Sequence, residues 1–155
     1  MTRKLIIDRE HDTLFCNWLG PRIPGGAVYD PKLCRTIGHV EFSENGVEIL
    51  GVVVLNNWTS SACEGHFASN GSKDWCTHNC IFSLYDFVFD KAGKTRMNFH
   101  VSADNEPSIR FQNKVGHVLE GRLADYYGEG KDALLFGLTK KQWQASKWAK
   151  PEQEK

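Results

Sequence analysis

A hairpin in the N-terminal half limits what this chain can fold into more than any other feature of the sequence. Two β-type runs, residues 35–42 and 47–58, flank the turn sequence Ser-Glu-Asn-Gly at 43–46. Asn-Gly favours the tight primed turns whose twist matches that of paired strands. The second run is rich in valine, and residues 60–69 supply a weaker third strand. These segments predict an antiparallel meander of three strands.

The rest of the chain alternates between helical and strand patterns. After the meander, Ile81, Leu84, Tyr85, Val88 and Phe89 recur at the spacing of an amphipathic helix. This pattern and the meander predict one α/β (α+β) domain over residues 1–150, followed by a polar tail at 151–155. Before the meander, the predicted order is strand 4–8, helix 9–19 and loop 19–31. After the meander come the helix that ends at Gly93, strand 94–103 and a short helix that Asn105 caps. A strand after Gly116, strand 132–138 and a polar, fraying segment at 147–155 complete the chain.

The composition excludes several classes of protein. The chain has 155 residues, of which 41% are hydrophobic and 25% charged, as in ordinary globular domains. Nineteen basic and nineteen acidic residues balance, so no broad charge attracts nucleic acid or an anionic membrane. No apolar run approaches the roughly 20 residues of a membrane span, and the N-terminus lacks a signal-peptide pattern. We therefore predict a cytoplasmic protein without a nucleic-acid or membrane partner.

A metal site is one possible interpretation of the cysteines and histidines. Cys76, His78 and Cys80 form a C-x-H-x-C pattern to which His66 would add a fourth ligand. The pattern lacks the second paired half of a zinc site, and the segment begins a helix. The five cysteines are irregularly spaced, which is typical of reduced thiols. We predict no metal site.

The segment VSADNEPSIRFQNKVGHVLEGRL, residues 101–123, contains the most specific motif. A strand is followed by a short helix, a Lys-x-Gly break, a Glu-Gly pair on the next strand, and then the phrase LTKKQW at 138–143. This combination resembles the GNAT superfamily of acyl-CoA-dependent N-acetyltransferases, in particular the RimJ/RimL branch that acetylates ribosomal-protein N-termini. The resemblance is good over 73–143, weaker over 36–72, and limited to element type over 1–35. The matching residues are Asn105, Ser108, Arg110, Lys114, Gly116, His117, Glu120 and Gly121.

The resemblance implies a fold and a cofactor. The fold is a mixed sheet of about seven strands, with an antiparallel N-terminal meander, splayed parallel strands in the middle and helices on both faces. Acetyl-CoA would enter the splay, where its pantetheine pairs with strand 60–69. Asn105 and Arg110 would lie on the cofactor side, and Ser108 would stabilise or protonate the leaving thiolate. Many relatives use a tyrosine further along this helix, but this chain has Phe111. The alternative is that Asn105 and Ser108 are only an N-cap and a first-turn polar residue.

The phosphate-binding loop departs from the family pattern. Relatives have Arg/Gln-x-x-Gly-x-Gly/Ala, whereas residues 69–79 read SNGSKDWCTHN and lack the second glycine. Asp74 either brings a negative charge to the phosphates or caps the helix. A degenerate loop is compatible with weak cofactor binding or with lost catalysis. The resemblance assigns the phosphates to Lys73 and to the backbone amides of Trp75, Cys76 and Thr77.

The acceptor side depends on two groups of residues. Glu64 and His66 share one strand face by the two-residue period, and either is a candidate base for the attacking amine. The alternative is a solvent-facing polar stripe. The resemblance places Tyr126 and Tyr127 at the acceptor side of the cleft. Trp58 is a candidate wall of the acceptor pocket, although a tryptophan is more often a core residue.

Two hypotheses of different class follow. The first is an acetyl-CoA-dependent N-acetyltransferase that transfers an acetyl group to a primary amine of a small molecule or protein by direct attack. The second is an inactive GNAT-fold module that acts through a protein partner, as in small divergent proteins of some bacteriophages. Relatives often dimerise, which leaves a homodimer open. A nucleotide-binding protein is disfavoured because GEGKD at 128–132 lacks the glycine spacing of a P-loop.

Overall fold

The computed structural model describes residues 2–72 and 74–152. Within these residues, seven strands form one mixed sheet in the order β1-β2-β3-β4-β5-β7-β6. The strands are β1 Thr2–Ile6, β2 Arg35–Ser43, β3 Gly46–Asn56, β4 Ala62–Ser69, β5 Arg96–Ser102, β6 Val118–Leu123 and β7 Ala133–Thr139. The helices are α1 Asp12–Leu19, α2 His78–Tyr85, α3 Glu106–Lys114 and α4 Lys140–Gln144, with a π-helical extension of α2 at Asp86–Lys91 and 3₁₀ turns at Gly20–Arg22, Pro31–Leu33 and Lys147–Ala149.

The predicted meander is confirmed. Strands β2, β3 and β4 pair antiparallel in sequence order. The hairpin loop consists of Glu44 and Asn45, one residue earlier than the Asn-Gly motif suggests, because Ser43 pairs with Gly46. Gly46 has a φ of 114°, so its freedom to adopt positive φ is used at the first paired position after the loop.

The predicted splay between two parallel strands is also confirmed. Strands β4 and β5 pair only at Ala62–Arg96, Cys63–Met97 and Glu64–Asn98. Beyond these pairs, residues 65–69 of β4 diverge from residues 99–102 of β5. The resulting wedge-shaped opening is called the notch below. The carboxyl ends of both strands therefore border the same opening, where a ligand has access to the backbone of β4.

Helices cover both faces of the sheet. Helix α1 packs Phe15, Cys16 and Leu19 against Val52 and Val54 on one face. Helices α2 and α4 pack on the other face, in a larger core that also contains partly buried residues of α3. Members of this larger core include Ile81, Leu84, Tyr85, Val88, Phe89, Met97, Phe99, Phe136 and Trp143.

Two terminal segments differ from the prediction. Strand β1 spans residues 2–6 instead of 4–8. The segment after β7 is folded as far as residue 152 instead of fraying from 147, because two tryptophans anchor it. Trp143 and Trp148 are buried, and the Trp143 indole N–H donates a hydrogen bond to the Trp148 carbonyl at 3.0 Å. In residues 2–72 and 74–152, no helix has both the length and the hydrophobicity needed to cross a bilayer.

Candidate active site

Two cavities meet at the notch. The inner cavity, of about 290 Å³, lies on the α1 side between the loop at residues 23–29, the ends of β4 and β5, and the loop that carries Tyr126. The outer groove, of about 680 Å³, runs along the end of β4, the loop after it and one face of α3. Pro24, Phe67, Asn105 and Ser108 line both spaces. The two spaces therefore adjoin at the notch.

Ser108 is held at this junction by the cap of α3. The Asn105 side-chain oxygen accepts a hydrogen bond from the Ser108 backbone N–H at 3.3 Å, and Pro107 occupies the first turn. The predicted cap is thus confirmed. Because the cap fixes the first turn, the half-buried Ser108 side chain faces both the inner cavity and the outer groove.

The predicted pair Glu64 and His66 lies on the α1 face, as the two-residue period requires. The Glu64 carboxylate accepts a hydrogen bond from the Asn57 side-chain amide at 2.8 Å. The same carboxylate oxygen lies 3.9 Å from His66 Nε2 and 3.9 Å from His100 Nδ1. Both imidazoles line the inner cavity, whereas Glu64 is absent from the lining that the described residues form. Glu64 therefore reaches the cavity only through the two histidines.

The protonation of His66 is set mainly by burial. Desolvation lowers the pKa of His66, while the nearby Glu64 carboxylate opposes this effect. His66 Nε2 donates a hydrogen bond to the Asn56 side-chain oxygen at 2.8 Å, so Nδ1 is left as the nitrogen that can accept a proton. A neutral imidazole at ordinary pH is the form that a general base needs.

His100 belongs to this site but was not among the residues predicted from the sequence. Its ring stacks on Tyr126 with centroids 5.0 Å apart and an angle of 8°. Its Nδ1 atom is buried and has no hydrogen-bond partner within the part of the chain that the structure describes. Met97, Phe99 and Val101 were used to predict strand β5. The polar residues that alternate with them, including His100, were the available signal that this strand also presents a polar face.

Three tyrosines surround the inner cavity. Tyr126 and Tyr127 line it, with ring centroids 4.9 Å apart, and their role on the acceptor side stays a prediction from the resemblance. Tyr29, from the loop before β2, contributes a third ring 5.2 Å from that of His66. Burial raises the pKa of Tyr29 to about 12 and raises that of Tyr127, so both phenols stay neutral. Tyr29 was missed because its loop has no periodic pattern that predicts its position.

Trp58 is not brought to the inner cavity. It lines a different cavity, together with Lys94, whose ammonium lies 5.8 Å from the indole centroid. The reason is topological. Strand β3 runs antiparallel to β4, so the residues after β3 lie at the end of the sheet opposite the notch. The predicted placement of Trp58 in the acceptor pocket is therefore wrong.

The predicted phosphate-binding residues of the loop after β4 do not all lie in the outer groove. Trp75 lines the outer groove, and its buried indole stacks on Phe67 and Phe111 with centroids 6.0 Å away in each case. Thr77 caps α2 by accepting the Cys80 backbone N–H at 3.2 Å, so Asp74 is not the cap. Lys73 lies outside the described residues. Among the predicted loop residues that the structure describes, only Trp75 lines the outer groove.

Cys76 belongs to the core side of this loop. It is hydrogen-bonded to Cys80, and this bond together with burial raises its pKa. The His78 ring donates to the Lys150 carbonyl at 2.8 Å. Among the described residues, no three His, Cys, Asp or Glu side chains cluster as metal ligands would.

The outer groove is positively charged. Arg22, Arg110 and Lys114 line it, and the exposed pair between Arg110 and Glu106 at 3.6 Å neutralises little of this charge. Gly71, at φ 97°, has open space where a side chain would be. The open backbone of β4, this space and the cations fit the pantetheine and phosphates of acetyl-CoA, which the resemblance implies.

Comparison with known proteins was informative only at the level of structure. No protein-family model matches the sequence, and no curated protein sequence matches it significantly. The ribosomal-protein-S5-alanine acetyltransferase of Vibrio fischeri superposes with a TM-score of 0.69 at 16% identity, covering 92% of this chain and 96% of that one. The chain has the GNAT fold. The predicted fold class is therefore confirmed.

Two further GNAT-fold structures have similar scores. The spermidine N-acetyltransferase of Vibrio cholerae, solved in complex with CoA and spermine, superposes with a TM-score of 0.69 at 14% identity over 91% of this chain and 97% of that one. A dodecameric structure of the same enzyme gives 0.67 at 14% identity, over 96% and 98%. The GNAT fold is thus shared over nearly the whole chain.

Proposed function

We propose that this chain is an acetyl-CoA-dependent N-acetyltransferase that transfers an acetyl group to a primary amine by direct attack. The observation that supports it is the meeting of two cavities at Ser108. A two-substrate transfer needs two entrances that converge on one point, and the notch provides both. The solved relatives act on amines according to their names, one on a ribosomal-protein alanine and one on spermidine.

The cofactor side of the proposal uses the outer groove. When bound, acetyl-CoA would supply the activated acetyl group. The backbone of β4 from residue 65 to 69 would pair with pantetheine, and Arg22, Arg110 and Lys114 would hold the phosphates. The roles of Lys73, Trp75, Cys76 and Thr77 stay predictions.

The amine side uses the inner cavity. His66 and His100 are the groups that can take the proton of the attacking nitrogen, and the carboxylate of Glu64 stabilises the imidazolium that forms. As the carbon–nitrogen bond forms and the carbon–sulfur bond breaks, the Ser108 hydroxyl is the donor at the junction for the leaving thiolate. Tyr29, Tyr126 and Tyr127 would line the path of the amine.

A homodimer, a cytoplasmic location and a bacteriophage source stay predictions from the sequence.

The experiment that tests the proposal is calorimetric titration with CoA and acetyl-CoA. We expect micromolar dissociation constants and about tenfold weaker binding in Arg110→Gln, which removes a charge-assisted contact. Lys4→Gln, an exposed lysine on β1, is the matched control.

Absence of heat at millimolar cofactor, with an unchanged melting temperature, would contradict the enzyme. That outcome would support the alternative, an inactive module with a protein partner. The occupation of the degenerate loop by the bulky Trp75, where relatives have a glycine-rich turn, is the observation that keeps this alternative open.

A further inference from the structure

A third cavity lies at the opposite end of the sheet from the notch. It is an open cleft of about 540 Å³ where β2 and β5 begin and β3 ends. Five separate stretches of chain converge on it, so it is a product of the tertiary fold. It shares no lining residue with the inner cavity or the outer groove among the residues that the structure describes. Its lining consists of Arg9, Lys32, Leu33, Cys34, Arg35, Asn57, Trp58, Phe87, Ala92 and Lys94, and it is called the basic cavity below.

The charge of the basic cavity is one-sided. Arg9, Lys32, Arg35 and Lys94 line it, and within residues 2–72 and 74–152 no carboxylate does. The whole chain carries no net charge, so this concentration is local. A cleft lined by charges of one sign focuses the electrostatic field and attracts ions of the other sign. The basic cavity therefore favours an anion.

One buried carboxylate lies behind the cavity without cancelling its charge. Asp12 is 3% exposed, and one of its oxygens accepts hydrogen bonds from the Thr36 N–H at 3.1 Å and hydroxyl at 2.7 Å. The other oxygen lies 3.8 Å from Arg35 Nε and 4.0 Å from Arg9. These separations are too long for hydrogen bonds. Asp12 thus orients Arg35 and offsets one positive charge of the four.

Arg35 has hydrogen-bonding capacity left for a ligand. Its buried Nε atom faces the Asp12 oxygen 3.8 Å away, and both atoms lack a hydrogen-bond partner among the described residues. The Arg35 side chain is 24% exposed, and the two terminal nitrogens of its guanidinium are the donors that a ligand in the cavity can use. Arginine is also the side chain best suited to hold phosphate through several donors at once. Arg35 is therefore the centre of a candidate anion site.

Two aromatic rings stand beside these cations. The Arg35 guanidinium carbon lies 4.9 Å from the Phe87 ring centroid. Lys94 lies beside Trp58 and is held in place by donating to the Thr59 carbonyl at 2.7 Å. Both Trp58 and Phe87 are only half-buried, so part of each ring is accessible. An aromatic wall beside several cations suits a flat ring that carries a multivalent anion.

We propose that the basic cavity is a second ligand site, separate from the notch, that binds a nucleoside phosphate. The cations hold the phosphate, and the base lies against Trp58. The volume is within the range of about 300–1,000 Å³ that is usual for small-molecule sites. The proposal goes beyond acetyl transfer and does not depend on it, because the two sites have no residue in common.

The test is calorimetric titration of the intact chain with AMP and, separately, with inorganic phosphate. We expect both to bind, AMP more tightly, and both to weaken as salt is raised. The double variant Lys32→Gln/Lys94→Gln should weaken AMP by about tenfold or more, since it removes two charge-assisted contacts but leaves Asp12 paired. Trp58→Leu should weaken AMP and leave phosphate unchanged, because only AMP has a ring to stack.

The outer groove provides the matched control. Arg110→Gln should leave AMP binding unchanged while it weakens CoA. If Arg110→Gln abolishes AMP binding and the Lys32/Lys94 variant does not, AMP occupies the cofactor groove and the second site is overturned. Absence of AMP binding at about 5 mM would overturn it as well. Loss of CoA binding with AMP retained would contradict the proposed acetyltransferase alone, so the two failures are distinguishable.

Discussion

At the residue scale, the proposed chemistry depends on a few polar atoms around the notch. Asn105 fixes the backbone of Ser108 by capping α3, and the Ser108 hydroxyl then lies where two cavities meet. His66 and His100 approach from two strands that are far apart in sequence. Each of these residues is therefore positioned by a different element, and each can be tested separately.

Substitution of Ser108 by alanine tests the thiolate donor. We expect kcat to fall by about ten- to a hundredfold, with little change in KM for the amine, because the lost hydrogen bond develops only as the thiolate leaves. Release of free CoA thiol measures both constants. Ser83→Ala, on α2 and outside the lining described for either cavity, is the control. Equal kcat values for the two variants would show that Ser108 is only part of the first turn.

The pH dependence of the rate tests the histidine pair. Because burial lowers the pKa of His66, the imidazole is neutral and able to accept a proton above that pKa. The value of kcat/KM should fall as the pH drops below it. In Glu64→Gln the carboxylate that raises the pKa of His66 is lost, so the acidic limb of the profile should move to lower pH. A limb that disappears in His100→Gln but persists in His66→Gln would assign the base to His100.

At the element scale, the periodic segments of the sequence predicted the elements correctly. The meander and the amphipathic helix after it were visible because each has a period and a turn signal. Helix α4 was not predicted, although a capping box of Thr139 and Gln142 begins it. It has only five residues, too few for a period to emerge. The sheet order β5-β7-β6 places the last strand between two earlier ones. No short stretch of sequence indicates that order.

The packing of the loop after β4 gives a stability prediction at this scale. A Cβ atom on Gly51 would lie 2.3 Å from the Trp75 ring, and Phe67 and Phe111 stack against that ring. We expect Gly51→Ala to lower the free energy of unfolding by about 1–3 kcal/mol through overpacking. It should also weaken CoA binding, because Trp75 lines the outer groove. Urea denaturation and calorimetry measure the two effects.

Gly121→Ala is the matched control for Gly51→Ala. It also lies in a strand, but a Cβ atom there would meet nothing within 4 Å. We expect its free energy of unfolding to stay within about 0.5 kcal/mol of the parent protein. If both variants lose the same stability, the contact with Trp75 is not the cause.

At the scale of the whole molecule, a series of buried hydrogen bonds on the α2 face connects α2, α3 and the residue that precedes β6. His117 Nε2 accepts a hydrogen bond from the Tyr85 hydroxyl, and Nδ1 donates to the Gln112 side-chain oxygen. Burial lowers the pKa of His117 to about 3. The ring is therefore neutral in the folded protein, whereas in the unfolded chain it titrates near the ordinary histidine pKa of about 6.5.

Global stability should depend on pH through this histidine. Below about pH 6.5 the unfolded chain binds a proton that the folded protein does not, so stability is complete above that pH and is lost as the pH falls toward 3. The expected loss is about 1.4 kcal/mol for each pH unit. Urea denaturation between pH 7 and pH 4 measures this slope.

Removal of the imidazole isolates the contribution of His117. In His117→Phe the slope of the free energy of unfolding against pH should decrease by the contribution of one proton. The free energy of unfolding at pH 7 should fall by about 1–3 kcal/mol, because Tyr85 and Gln112 lose their hydrogen-bond partner. Ser83→Ala, which leaves every histidine in place, should keep the parent slope. An unchanged slope in His117→Phe would contradict the assignment.

The sequence by itself determined the meander, the amphipathic helix, the cap of α3 and the family resemblance, because each depends on residues that are close together in the chain. It also placed Glu64 and His66 on one face of β4, since strand periodicity is a local property. Only the tertiary structure decided that His100 and Tyr29 join them and that Trp58 does not. The same is true of the basic cavity, to which five distant stretches contribute. Pairing of distant strands sets these distances, and no short stretch of sequence encodes that pairing.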